Sequence, residues 1–195
     1  MPSSRANARN LAGPSSNRSG RDPSHSLGMT QPGSHAFPWQ TMTSDSRPMS
    51  SSTGTITTFV MPHMQNVRGD LFGGELMALV DQAAAVAAIR HAGGPAVTAR
   101  IDRVDFKERV PVGALVTCVA TVDFVGNSSM DITVDVYAEK VSTGERRHTH
   151  TAHVVFVAID DDGKPKRVPR LMPETDEERE RYARAEEHRR GQKRK

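Results

Sequence analysis

The residue best suited to catalysis is Asp81, a carboxylate inside an otherwise apolar helical pattern. Its neighbours at three- and four-residue spacing are Met77, Ala78, Ala84 and Ala85, which lie beside it on a helix surface. Asp81 therefore lies either on a thin solvent-facing edge or in a cleft that the small alanines leave open. The pattern alone favours the solvated edge, because most aspartates are solvated. In a cleft, the carboxylate would be suited to act as a general base.

Two glycines and an asparagine lie just upstream, where the helix is predicted to begin. Gly73 and Gly74 place backbone amides at a helix N-terminus, where N–H groups lack intrahelical acceptors and the helix dipole is positive. These amides either stabilise a developing oxyanion or belong to glycines that only make a tight turn. Asn66 either orients a water or a carbonyl group, or is a turn-forming residue.

Other reactive residue types give weaker signals. Cys118 alternates in phase with apolar residues of a strand, so we expect a core thiol rather than a nucleophile. His148 and His150 are expected to share one strand face, and without a third ligand we interpret them as a sheet-surface pair rather than a metal site. His63 has no obvious Ser or Cys partner, and the sequence contains no Gly-x-Ser-x-Gly nucleophile elbow.

The elements that must position these residues are one buried helix and five strands. From Gly74 to about His91, apolar residues recur almost all round a helical wheel, which predicts a buried helix that ends at Gly93. Around residue 102 the apolar phase slips by one residue, which predicts a bulge or bend. Alternating or β-branched segments predict strands at about 55–61, 96–107, 115–125, 130–140 and 147–159.

This order predicts an α+β fold in which one long central helix is wrapped by a curved antiparallel β-sheet. The apolar surface and edges that the helix leaves uncovered are expected to pair with another subunit. Residues 1–54 are rich in Ser, Pro, Gly, Asn and Arg, which predicts a disordered N-terminal extension. Residues 55–173 are predicted to form the folded domain, and residues 174–195 a charged tail or solvated helix.

Charge and cysteine content exclude several protein classes. Of the net charge of +3, the two predicted tails account for +3 and +1, so the central segment carries −1. A nucleic-acid-binding core would instead show a clustered basic face. The single cysteine rules out an intrachain disulfide and is typical of a reducing compartment, so we expect a cytoplasmic location. No stretch approaches the ~18 apolar residues of a membrane span.

Four runs of this sequence resemble, in order and spacing, the hotdog-fold acyl-CoA thioesterases of the cytosolic acyl-CoA hydrolase and YciA-like group. They are MPHMQNVRGDLFGGELMALVDQAA, VTARIDRVDFKERVPVGALV, VGNSSMDITVDVYAE and HVVFVAIDDDGKPKRVP. The resemblance covers about residues 55–170. It implies hydrolysis of acyl-CoA to a free carboxylic acid and CoA, without a metal or other cofactor.

The resemblance also assigns roles within the site. Asp81 matches the family's helix aspartate, which acts either as a general base on water or as a nucleophile that forms an anhydride. Asn66 matches the loop asparagine that positions the water or the carbonyl, and the amide of Gly74 is the expected oxyanion donor. In such proteins the active sites lie across a dimer interface, so a homodimer or a homohexamer built as a trimer of dimers is expected.

Contacts with CoA or its acyl chain are expected at six further positions. Asn127 stands where the family often has an arginine, which removes one guanidinium that would pair with phosphate. Glu75 stands where many relatives carry a bulky aromatic residue, which predicts a different acyl-chain preference. The expected contacts are Gly73, Arg103, Lys107, Gly126, Ser128 and Ser129, with Arg109, Arg167 and Arg170 as substitutes for the missing arginine.

Two other functions compete with hydrolysis. A non-catalytic hotdog protein would bind acyl-CoA as a sensor or carrier, but binding alone needs neither Asn66 nor Asp81. A hotdog hydratase would act on enoyl-CoA and usually relies on an Asp–His pair. No histidine lies near Asp81 in a matching motif, although His63 could approach it in space.

Overall fold

A computed structural model of the protein describes residues 45–192. These residues contain two sheets and two α-helices. The strands are β1 (Ser46–Pro48), β2 (Thr53–Phe59), β3 (Ala96–Phe106), β4 (Leu115–Val125), β5 (Ser129–Lys140), β6 (Glu145–Ala158) and β7 (Arg170–Met172). Strands β1 and β7 form a parallel pair, and the other five form an antiparallel sheet in the order β2-β4-β5-β6-β3. A long helix beside this open sheet confirms the predicted α+β class.

Helix α1 (Gly73–Ala92) packs one side against the five-stranded sheet. The chain leaves this helix at Gly93, whose left-handed φ of 65° lets its N–H donate to the carbonyl of Ile89, as the glycine predicts. The opposite side of α1 is uncovered, with Met77 37% and Ile89 42% exposed. The prediction of burial on almost every side was therefore wrong for a single chain, because the sheet covers only one side of the helix.

Gly54 of β2 sets how closely this helix approaches the sheet. A Cβ at Gly54 would lie 2.4 Å from the carbonyl oxygen of Ala83 and 2.9 Å from the backbone nitrogen of Ala87. Real Cβ atoms do not approach backbone atoms this closely, so a glycine is required here. Because Gly54 of β2 and Ala83 and Ala87 of α1 are small, the middle of α1 packs directly against β2.

Two strands contain irregularities that matter for the site. The pairing of β3 with β6 shifts register between Thr98 and Arg100 and again between Ile101 and Arg103, which confirms the bulge predicted near residue 102. A further shift lies in β6, where Val136 pairs with His150 and Tyr137 with His148.

The shift in β6 corrects the prediction that His148 and His150 share one face. Thr149 is the extra residue between them, so the two rings lie on opposite sides of the sheet. On the outer face of the sheet, which is the face away from α1, His148 is hydrogen-bonded to the carboxylate of Asp135. His150 is buried and contacts the ring of Phe106. Among the described residues, no group of three or more His, Cys, Asp or Glu side chains is arranged to hold a metal ion.

The folded part begins earlier than the predicted boundary at residue 55. Strand β1 precedes residue 55, as does the core residue Met49, which is 1% exposed. The segment that contains them is too short and too polar to give a periodic pattern. Residues 1–44 of the extension predicted over residues 1–54 lie outside the described residues. Within residues 45–192, no helix is long and apolar enough to cross a membrane.

The charged C-terminal segment forms helix α2 (Asp176–Gln192), which packs on the outer face of the sheet. An ion pair and an aromatic contact hold it there. The guanidinium of Arg181 donates to the buried carboxylate of Asp123 at 3.0 Å, and the ring of Tyr182 contacts that of Phe124. Burial raises the pKa of Asp123, and the positive charge of Arg181 opposes that rise.

Candidate active site

Asp81 lies in the third turn of α1, at the margin between the covered and uncovered sides of the helix. Its side chain is half-buried. The hydroxyl of Thr98 in edge strand β3 donates a hydrogen bond to Asp81 Oδ1 at 2.6 Å. Asp81 Oδ2 accepts no hydrogen bond within residues 45–192, so this oxygen is available to a water or a substrate.

Thr98 was missed at the sequence level. It lies 17 residues after Asp81, in a strand where threonine is an ordinary residue. The contact depends on how the first residues of β3 pass along α1, ahead of the bulge between Thr98 and Arg100. A hydrogen bond between a hydroxyl and a carboxylate 17 residues apart is a tertiary feature, and local sequence carries no signal for it.

Asn66 is fixed by its own loop. Its side-chain oxygen accepts the backbone N–H groups of Arg68 at 2.8 Å and Asp70 at 3.3 Å, and its backbone N–H donates to the carbonyl of Asp70 at 2.7 Å. Because both side-chain partners are donors, the acceptor atom must be the oxygen. The NH₂ group of Asn66 is consequently the part that is left to donate outward.

The N-terminus of α1 presents bare amides beside an apolar surface. The N-cap residue Phe72 makes no side-chain capping bond, and Leu76 N–H is the first to donate to its carbonyl. The N–H groups of Gly73, Gly74 and Glu75 therefore have no acceptor in the helix. A Cβ at Gly74 would lie 2.4 Å from the ring of Phe72, so glycine is needed for that ring to cover the first turn.

Two aromatic rings enlarge this apolar surface. Phe72 is 53% exposed and Phe106, at the end of β3, is 58% exposed. The ring of Phe106 lies 3.6 Å from the position of a Cβ on Gly73. An apolar chain lying on these rings would bring its polar end to the free amides.

Five of the six predicted CoA contacts lie in three regions of the structure. Gly73 is in the first turn of α1, and Lys107 is an exposed residue just after β3, with its N–H bonded to the carbonyl of Thr149. Gly126, Ser128 and Ser129 form the turn between β4 and β5, where the Ser129 hydroxyl accepts a hydrogen bond from Arg189 of α2 at 2.6 Å.

Arg103 is not brought toward Asp81. Its guanidinium pairs with Asp105 at 2.7 Å, and the residue lines a cavity of about 680 Å³ between the outer face of the sheet and α2. The carboxylates that line this cavity outnumber its arginines, and they include Asp102, Asp131 and Glu177. It lies on the side of the sheet away from α1, so it is separate from the Asp81–Thr98 pair.

The one thiol is not a competing nucleophile. Cys118 is fully buried in the core, and burial raises its pKa to about 12. Only the thiolate attacks an acyl group, and at such a pKa it is essentially absent at neutral pH. The prediction of a core thiol is confirmed.

Asp81 and Thr98 are joined within one chain, whereas no hydrogen bond links Asn66 to Asp81 in the described part of the chain. Asn66, Gly73 and Gly74 belong to the segment that enters α1, and Asp81 lies two turns further on. The arrangement offers a carboxylate with a fixed orientation, an amide donor and a set of free N–H groups. Together these groups can activate a water and stabilise an oxyanion.

Comparison with known sequences identifies the protein family. Residues 68–145 match the family model described as Thioesterase superfamily. A Bacillus subtilis protein named uncharacterized acyl-CoA thioester hydrolase YkhA is 43% identical over 122 residues, which cover 63% of this chain and 71% of the relative.

Solved structures show the same fold. An acyl-CoA hydrolase from Staphylococcus aureus, in complex with butyryl coenzyme A, coenzyme A and coenzyme A disulfide, has a TM-score of 0.70 and 37% identity, covering 76% of this chain and 92% of that chain. An apo-hexameric acyl-CoA thioesterase has a TM-score of 0.73 and 38% identity, covering 76% of this chain and 96% of that chain.

Three structures of Staphylococcus aureus acyl-CoA hydrolase carry alanine in place of an asparagine, an aspartate or a threonine. In that protein the aspartate follows the asparagine by 15 residues, and the threonine follows the aspartate by 17 residues. Asn66, Asp81 and Thr98 have the same residue types at the same separations.

Proposed function

This chain belongs to the thioesterase superfamily as an acyl-CoA thioester hydrolase, and we propose that Asp81, held by Thr98, is the catalytic carboxylate of its site. The reaction cleaves the thioester of acyl-CoA to a free carboxylic acid and CoA. The observation that carries the assignment is the hydrogen bond from Thr98 to Asp81 Oδ1. It fixes one carboxylate oxygen and leaves the other without a hydrogen-bond partner within residues 45–192.

The two groups at the loop act on the thioester itself. The first-turn N–H groups at Gly73 and Gly74 are donors without helix acceptors, and they stabilise negative charge as it develops on the thioester oxygen. The NH₂ group of Asn66 donates to the attacking water or to the same carbonyl. The acyl chain lies along the apolar surface of Phe72 and Phe106, both more than half exposed.

Asp81 has two possible routes, because Oδ2 can either accept a proton from water or attack the thioester carbon itself. With Oδ1 occupied by Thr98, Oδ2 accepts a proton from a water that attacks the thioester carbon. In the nucleophilic route the carboxylate attacks that carbon, releases CoA and leaves a mixed anhydride, which water then hydrolyses. A turnover in ¹⁸O-water separates the routes, because ¹⁸O incorporated into Asp81 arises only through the anhydride.

We place the complete site between two protomers. In the described part of the chain, β3 is an edge strand that pairs only with β6, and Val97 and Phe106 on it are about half exposed. Unpaired strand edges of this kind readily pair with another chain. Pairing of two β3 edges covers the exposed side of α1 and brings the loop of one protomer toward Asp81 of the other. The hexameric relative supports further assembly of such dimers.

The test of function is release of free CoA from a panel of acyl-CoAs of increasing chain length. The wild-type protein is expected to release CoA well above the uncatalysed rate with at least one chain length. Tight binding of acyl-CoA without release would instead indicate a carrier or sensor. Light scattering of the eluted protein tests the assembly, which is expected to have the mass of a dimer or a hexamer. The cytoplasmic location stays a prediction.

A further inference from the structure

The loop that carries Asn66 is tied to a neighbouring segment by a pair of charged side chains. Arg109 donates two hydrogen bonds to the carboxylate of Asp70, from Nε to Oδ2 at 2.8 Å and from Nη2 to Oδ1 at 3.1 Å. Asp70 is only 6% exposed. A two-point guanidinium–carboxylate contact fixes orientation as well as distance.

Asp70 is also the residue that holds Asn66. Its backbone N–H donates to the side-chain oxygen of Asn66, and its carbonyl accepts the backbone N–H of Asn66. The amide plane of Asn66, and hence the direction of its NH₂ group, therefore depends on the position of Asp70.

The segment around Arg109 supports the same loop by backbone contacts. The N–H of Leu71 donates to the carbonyl of Val110 at 2.7 Å, and the N–H of Val112 donates to that of Gly69 at 3.2 Å. These bonds hold the loop against the segment, but none of them involves the side chain of Asn66. The contact that fixes the Asp70 carboxylate is the one from Arg109.

We infer that Arg109 is a positioning residue of the hydrolytic site, acting through Asp70 to aim the NH₂ group of Asn66 at the substrate. This inference rests on the proposed function. The hydrogen bonds that Arg109 donates to Asp70 raise the pKa of Arg109, and an arginine is charged over the whole working pH range. When the guanidinium of Arg109 is removed, the nearly buried carboxylate of Asp70 loses its cation and moves toward water. Asn66 then loses its two fixed donors.

Sequence interpretation placed Arg109 differently, as a possible substitute for the arginine absent at position 127. Its side chain is 66% exposed, but both hydrogen bonds of its guanidinium are directed to Asp70 rather than outward. A phosphate-binding role predicts a higher KM when the arginine is removed. A positioning role predicts a lower kcat at nearly unchanged KM, so steady-state kinetics separate the two.

The experiment compares wild type, Arg109→Ala, Arg109→Lys, Asn66→Ala and the double variant with both alanines, all as full chains. We expect Arg109→Ala to lower kcat about tenfold, as for a displaced positioning group, with KM changed by less than about twofold. Arg109→Lys should recover part of the loss, because lysine keeps the charge but lacks the planar fork. In the Asn66→Ala background, Arg109→Ala should cause no further loss.

The matched control is Arg179→Ala, which removes a similarly exposed arginine that pairs with Asp176 on α2, and it should leave kcat unchanged. The inference is overturned if Arg109→Ala keeps wild-type kcat, raises KM alone, or lowers kcat by the same factor with and without Asn66. If Arg109→Ala does not fold, Asp70→Asn takes its place in the same comparison. Hydrolysis by wild type reports on the proposed function separately from these ratios.

Discussion

The hydroxyl of Thr98 donates to Oδ1 of Asp81 at 2.6 Å, and this bond connects the edge strand of the sheet to the middle of the central helix. It joins the carboxylate to the strand whose outer edge is unpaired within residues 45–192. The orientation of the proposed catalytic group and the surface proposed for dimer formation are thus parts of one element.

Thr98→Val should lower kcat by about tenfold, which is the scale of losing one hydrogen bond to a charged group. Valine keeps the shape and the strand preference of threonine, so stability should change little. Thr98→Ser keeps the hydroxyl and serves as the control. Steady-state kinetics on one acyl-CoA check this. Equal kcat values for Thr98→Val and wild type would mean that the hydrogen bond has no part in catalysis.

Mixed assemblies should restore activity to two inactive variants. If Asn66 and Asp81 of one site come from different protomers, Asn66→Ala and Asp81→Asn chains that are refolded together form heterodimers with one intact site. With random pairing, about a quarter of the wild-type activity is expected. The measurement is CoA release by the mixture against each variant alone. A mixture no more active than its parents would place both residues of a site on one chain.

Arg181→Ala should destabilise the protein by about 3 kcal/mol, because it leaves the buried carboxylate of Asp123 without its cation. Arg179→Ala removes an exposed pair on the same helix and should change the free energy of unfolding by less than about 1 kcal/mol. Urea unfolding of both variants provides the comparison. Equal effects of the two substitutions would show that α2 is not held by the Asp123–Arg181 pair.

His91 should make stability fall as the pH falls below neutrality. Desolvation lowers its pKa from the ordinary 6.5, against the opposing hydrogen bond to the carbonyl of Pro169. The unfolded chain therefore takes up the proton first, so the stabilisation is present above pH 6.5 and is lost as the pH drops below it.

Titration of His91 changes the free energy of unfolding by at most about 1.4 kcal/mol per pH unit. Urea unfolding at several pH values between 7.5 and 5 measures it, with His91→Gln as the reference that cannot titrate. The variant should show a shallower fall in the free energy of unfolding. The same slope in both proteins would refute the assignment to His91.

Periodicity predicted the elements whose residues are buried by the sheet itself. The apolar run from Leu76 onward predicted α1, and the phase slip near residue 102 predicted the bulge in β3, because each is a local consequence of which side chains face the core. The fold class, the family and the thioesterase function are confirmed by the structure and the relatives.

The remaining features depend on partners far away in sequence. The bulge at Thr149 is hidden in the polar run of residues 145–151, which has no apolar phase to follow. Helix α2 packs on the sheet through Arg181 and Asp123, which are 58 residues apart. The sequence of α2 does not indicate this contact, and its charged composition resembles that of a solvated tail. Thr98 and the Arg109–Asp70 pair belong to the same class of long-range polar contacts.

The most direct measurement is CoA release by wild type and by Asp81→Asn over the same acyl-CoA panel. Asparagine keeps the size of the side chain and can still accept the Thr98 hydrogen bond, but it cannot take a proton from water or attack the thioester. We predict that Asp81→Asn lowers kcat by at least about 100-fold while the protein stays folded and still binds CoA. An Asp81→Asn protein as active as wild type would contradict the assignment of Asp81 as the catalytic carboxylate.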